Sequence, residues 1–245
     1  MAAIIAHYLS AEEYNNKYRN YTENDLISFL VGAIAADSPR SQGKGFDRRE
    51  ITHFGSSPSK DLIEKSNFDL SGDILDFTSF IQKYEDKLDN PFIEGYLLHL
   101  YTDKKWFSEI ITDLLNQYVA QIKPNAEKAE DLTFLEAISW YSKKLYATYD
   151  IHDVQFYQRV NIKHIEKLST YNVDTCPIEE IDKDDLKNML FNLSEKCKNL
   201  DRKEIDSISN PLISIETMNS FINSCVIDTY KSISSDCISN CLQCH

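Results

Sequence analysis

One stretch of the sequence concentrates residues able to do chemistry: Pro91-Phe92-Ile93-Glu94-Gly95-Tyr96-Leu97-Leu98-His99-Leu100-Tyr101-Thr102-Asp103-Lys104-Lys105-Trp106-Phe107. Phe92, Tyr96, His99, Asp103, Trp106 and Ile110 recur at alternating intervals of four and three. That spacing predicts one seam along a helix. Bulky apolar neighbours above and below place the seam in the interior, where an unpaired ionised aspartate is very costly. Two arrangements would satisfy His99 and Asp103 there. The side chains can bond to each other, or, as ligands at i and i+4, they can converge on one metal ion.

Three further residues suit the second arrangement. His7 lies in Ala6-His7-Tyr8, Asp37 ends the apolar run Gly32-Ala33-Ile34-Ala35-Ala36 just before Ser38-Pro39, and His53 sits in Ile51-Thr52-His53-Phe54. Neutral imidazoles and carboxylates are a donor set for zinc, and other divalent ions accept the same groups.

Taken in order, His7, the Gly-Ala-Ile-Ala-Ala-Asp-Ser-Pro segment, Thr-His-Phe, and Gly-Tyr-Leu-Leu-His-Leu-Tyr-Thr-Asp resemble the zinc-dependent phospholipase C family and its related bacterial metallohydrolases. More distantly they are similar to the single-strand-specific zinc nucleases of the same superfamily. The resemblance covers about residues 6–107. It implies an all-α zinc scaffold in which Asp37, His53, His99 and Asp103 hold one ion. Asp103 would bridge, with His7, towards a second ion, and Asp37 would serve as base for a water attacking a phosphoester. The family's N-terminal tryptophan is replaced here by Met1-Ala2, and its later His…His-x3-Glu set is not found after Asp103. One or two ions are therefore expected, rather than three.

Other signals are weaker. Asp150, His152 and Asp153 form the best local substitute for an additional metal site, although such polar clusters commonly cap helices. His152-Asp153, with His99 and Asp228, also fits the ligand set of an HD-type phosphohydrolase. Lys44, Arg48 and Arg49 precede His53 and are candidate contacts for an anionic substrate, in a segment that otherwise reads as a solvated mixed-charge loop. Cys237-x3-Cys241-x2-Cys244-His245 has metal-ligand spacing, but an iron–sulfur radical enzyme would need a β/α barrel for which the chain has neither strands nor glycines. It reads as a cysteine-bearing tail.

The elements that must position these residues are helical. Six glycines and six prolines in 245 residues are under half the roughly 12% combined share of average proteins, and no glycine follows Gly95. A sheet protein of this length needs many more residues able to turn the chain. The pattern predicts a central buried helix over 26–36 and helices over 59–66 and 73–88. Others are expected from Pro91 to about Ala120, with Asn90 as N-cap, and over 126–149, 153–169, 182–198 and 213–233. The fold class is all-α: a compact multi-helix domain over 1–175 with a helical C-terminal appendage, 176–245, packed on it.

Charge and composition exclude several classes. The net charge is −13 and the pI near 4.9, which disfavours nucleic-acid binding through a broad cationic face. No apolar run approaches the roughly 20 residues of a membrane span. The start of the chain lacks the basic and apolar regions of a signal peptide, so the six cysteines are expected as free thiols and the protein as cytoplasmic. The expected partner is a small phosphoester. The alternative is an unknown protein, bound by a non-catalytic, metal-stabilised scaffold through its acidic last third.

Overall fold

The computed structural model describes residues 4–38, 51–54, 77–114, 117, 156–157, 159–199 and 213–234, and every regular element among them is helical. The α-helices are α1 (Ile4–Tyr14), α2 (Glu23–Ala35), α3 (Thr78–Tyr84), α4 (Pro91–Lys105), α5 (Ile162–Leu168), α6 (Lys183–Lys198) and α7 (Ile215–Ser234). No described helix is long and apolar enough to cross a membrane.

The pair α2–α4 is the spine. In α2, Phe29, Leu30, Val31, Ala33, Ile34 and Ala35 are all fully buried, as a run apolar on every side requires. α4 begins as its sequence predicts: Pro91 occupies the first turn, and the Asn90 side chain accepts from the backbone N–H of Phe92 at 2.9 Å. The two helices meet backbone to backbone through Gly32 and Gly95. A Cβ on Gly32 would stand 2.1 Å from the Phe92 carbonyl oxygen, and one on Gly95 the same distance from that of Phe29. Only hydrogen at both positions permits this approach, and it brings the carbonyls of α2 within reach of side chains on α4.

α1 packs across α2 and α4, with α7 against it. One buried carboxylate secures this layer. Glu94, in the first turn of α4, accepts from Tyr14 Oη at 2.9 Å, from Arg19 Nε at 2.7 Å and Nη2 at 2.6 Å, and from Tyr21 Oη. Tyr14 ends α1, while Arg19 ends the π-helical turn Asn15–Arg19 that continues it.

Three helices depart from the periodic reading. After Lys105, α4 widens into a π-helical stretch, Trp106–Ile111. Inserting a residue into a helical turn rotates the residues downstream of it, so the seam continues into Trp106 and Ile111, with Ile110 only half-buried. The helix expected from Asp73 instead has Phe77 at its non-helical N-terminal end, and it tightens into a 3₁₀ turn over Glu85–Lys87. The single helix expected over 153–169 is interrupted. Asn161 takes an extended conformation, and its side chain caps α5 by accepting from Lys163 N–H at 3.1 Å. The helices expected over 59–66 and 126–149 lie outside the described residues.

The last third contributes to the same core. Leu186, Leu190, Phe221, Cys225 and Val226 are buried with residues of α1, α2 and α4, and Phe221 meets the edge of Trp106 with ring centroids 5.2 Å apart. Lys83 pairs with Glu179 and Glu180, and Lys105 with Asp228. Cys176, Cys197 and Cys225 are free thiols.

Candidate metal centre

Four chain segments deliver five ionisable side chains to one buried place. His7 comes from the middle of α1, Asp37 from the turn that ends α2, His53 from the helical turn at 51–54, and His99 and Asp103 from successive turns of α4. None is more than 2% exposed. Their ligand atoms fall into two overlapping groups, His7–His99–Asp103 and Asp37–His53–His99. Within each group the atoms lie within 4.8 Å of one another, so each can hold a metal ion.

The closest contacts define a triangle. His53 Nε2 is 3.2 Å from His99 Nε2 and 3.3 Å from Asp103 Oδ2, and His99 Nε2 is 3.6 Å from that same oxygen. Donors held at about 2.0–2.1 Å by a tetrahedral ion stand about 3.3–3.4 Å from each other. The three atoms thus match one face of a coordination tetrahedron. The other carboxylate oxygen of Asp103 turns the opposite way, 3.3 Å from His7 Nε2. The His7 ring stacks on His99 with centroids 3.8 Å apart and planes inclined by 15°.

Hydrogen bonds on the far side of two rings decide which nitrogens face inward. His99 Nδ1 donates to the carbonyl of Ala33 at 2.9 Å. The Thr52 hydroxyl donates to the carbonyl of Ala36 at 2.9 Å, and its oxygen lies 3.1 Å from His53 Nδ1. With its proton committed, that oxygen accepts from Nδ1–H. In the neutral rings both Nε2 atoms therefore present lone pairs to each other. With the rings in these tautomers, the Asp103 oxygens meet the His53 and His99 nitrogens without a proton between them, and among the described residues His7 Nδ1 has no hydrogen-bond partner.

The groups set one another's charge. Burial, reinforced by nearby His99, pushes His7 down to about 4, so this ring is neutral at neutral pH. His99 shifts the other way: burial opposes its charge, but adjacent Asp103 and the charge of Asp37 outweigh burial and raise it. Burial also opposes ionisation of Asp103, yet His53, His7 and His99 around it hold its carboxyl well below the usual carboxylate range. Asp37 adds a second carboxylate at the C-terminal end of α2, where the helix dipole is negative. Three imidazoles and two carboxylates converging here form a donor set that a divalent cation accepts.

Local backbone geometry supports the placement of His53. Its neighbour Phe54 adopts φ 56°, a left-handed conformation that costs a bulky residue free energy. Phe80, Tyr84 and Tyr96 hold the Phe54 ring edge-on, and the Tyr96 hydroxyl donates to the Thr52 carbonyl. Thr52, Tyr96, Glu94 and the Gly32–Gly95 contact were not marked out as site-supporting by residue type or spacing. Glu94 in the apolar context Phe-Ile-Glu-Gly-Tyr carried the one available signal.

Of the remaining candidates, Lys44, Arg48, Arg49, Asp150, His152, Asp153 and the cysteines of the tail lie outside the described residues. Asp228 is exposed on α7 and paired with Lys105 at 2.6 Å, and it belongs to neither ligand group. Two clefts of about 160 and 270 Å³ lie beside Glu12 and Arg159, and none of the five buried residues lines them.

Comparison with protein families, with curated proteins and with solved structures finds no match to this chain.

Proposed function

We propose that this chain is a metal-dependent hydrolase of phosphoesters, binding one or two zinc ions through Asp37, His53, His99, Asp103 and His7. The observation that carries the reading is the His53–His99–Asp103 triangle, with two imidazole lone pairs fixed towards a shared point. The resemblance of these residues, in this order, to the zinc-dependent phospholipases C supports the choice of ion and reaction. Zinc bound there supplies Lewis acidity for a phosphoryl oxygen and makes a water molecule more acidic. His53 and His99 would hold the ion through Nε2, and Asp103 through one oxygen with the other directed to the His7 side. Asp37 would serve as the base for the water. The substrate class is a small phosphodiester or phospholipid-like ester.

A second reading is favoured by one observation: all five ligands are at most 2% exposed. Closed sites are typical of structural metals. On that reading the ion stabilises a helical interaction protein.

Full-length protein with Cys237, Cys241 and Cys244 changed to serine excludes zinc held by the tail. Mass spectrometry of metal content, paired with hydrolysis of bis-p-nitrophenyl phosphate and a wider ester panel, separates the readings. The hydrolase requires one or two zinc ions per chain, lost in His99→Ala, and turnover lost in Asp37→Asn with the fold retained. Bound zinc without turnover on any ester supports the structural role, and a folded protein that takes up no zinc refutes both.

A further inference from the structure

Thr52 occupies a junction of three ligand-bearing segments. Its hydroxyl donates to the carbonyl of Ala36, the residue before Asp37. Its oxygen contacts Nδ1 of its neighbour His53, and its carbonyl accepts from Tyr96, one turn before His99 on α4. The residue is 2% exposed, and water does not compete for these bonds.

We propose that Thr52 is a positioning residue that sets the tautomer of His53 and thereby makes Nε2 available as a metal ligand. The argument is one of proton direction. A carbonyl only accepts, so the Thr52 proton points to Ala36, and the hydroxyl can then only accept from the imidazole. This stabilises the Nδ1–H form of His53 and leaves the Nε2 lone pair facing His99 and Asp103. Without the hydroxyl, Nδ1 loses this acceptor while Nε2 lies 3.3 Å from the Asp103 carboxylate, which shifts the balance towards the Nε2–H form. That form must surrender its proton before it can bind a metal. His99 has an independent anchor at the Ala33 carbonyl, so Thr52 does not set the tautomer of that ring. The metal consequence rests on the function proposed above, whereas the tautomer is a property of the metal-free protein.

The test uses full-length protein with serine in place of the three tail cysteines, as wild type, Thr52→Val and Thr52→Ser. Nitrogen-15 NMR of the metal-free histidines should show His53 as Nδ1–H in wild type and Thr52→Ser, with an increased Nε2–H population in Thr52→Val. Zinc affinity, measured by chelator competition, should fall about 10–100-fold in Thr52→Val and stay within about threefold in Thr52→Ser. An Nε2–H form of His53 in the wild type overturns the proposal even if Thr52→Val fails to fold. So does a folded Thr52→Val with unchanged tautomer and affinity. Absence of zinc binding in the wild type refutes the metal reading, and the tautomer measurement still decides the part played by Thr52.

Discussion

His53 and His99 face each other through Nε2 atoms 3.2 Å apart, and each commits its Nδ1 proton to an acceptor behind it. In the tautomers those bonds favour, both Nε2 atoms point to one shared place. A bonded His–Asp pair, the simplest account of His99 and Asp103 from sequence, would need one imidazole beside the carboxylate; the fold supplies three.

Filling the centre should therefore stabilise the fold. With zinc at a thousandfold excess over its dissociation constant, linkage contributes about 4 kcal/mol, or roughly 8–16 °C in Tm for a chain of this size. Calorimetry before and after stripping with a chelator checks this, and an unchanged Tm in zinc-loaded protein contradicts it.

His7 should behave differently from the other two histidines. Its Nε2 faces Asp103 Oδ1 at 3.3 Å, and among the described residues no hydrogen bond anchors Nδ1 behind the ring. His7→Gln should lower zinc affinity less than His53→Gln or His99→Gln, and titration of the three variants against a competing chelator ranks them. His7→Leu should cost less stability in the metal-free protein, where it removes the Asp103 contact along with a buried nitrogen that lacks a partner, than in the zinc-loaded protein, where it also removes a ligand. Urea denaturation with and without zinc reads this difference.

The contact between α2 and α4 leaves no room for a methyl group. Gly32→Ala or Gly95→Ala drives a Cβ into a backbone carbonyl, and each should cost about 3 kcal/mol or more, lowering Tm by roughly 6–12 °C. Zinc affinity should fall with stability, since the shift moves Ala33 away from His99. A variant of wild-type stability would show that the helices stand further apart.

Glu94, in the first turn of α4, holds α1 to α4. Glu94→Gln preserves its shape but removes the charge that Arg19 and two tyrosines address, at a cost of about 1.5–3 kcal/mol. Thermal denaturation should show a loss of roughly 3–12 °C, and hydrogen exchange in α1 should accelerate more than in α2.

The helical class was legible because glycine scarcity and three-and-four periodicity act over whole segments. The start of α4 was legible because Asn90 and Pro91 each satisfy a local backbone requirement. The interruption at Asn161 was not, since a capping asparagine within an otherwise helical pattern resembles an ordinary polar position. Nor was the shift of the buried seam from Ile110 to Ile111, because a π turn leaves no mark in apolar spacing. At the centre, His99 and Asp103 stood out by being polar on an apolar seam. His7 and His53 are each unremarkable locally, and only the family resemblance joined them to the set. Thr52 acts through a hydroxyl that many buried threonines use to satisfy a backbone carbonyl, so its sequence context is silent.

The five ligands come from positions as far apart as His7 and Asp103. An ion held among them ties off a loop of nearly one hundred residues, an entropic restriction on the unfolded chain of the order a disulfide across the same span would impose, about 4–5 kcal/mol. Unlike a disulfide, such a tie would be reversible. With an ion bound, chain assembly and metal loading would be coupled, and release of the ion would remove one restraint on the first helix.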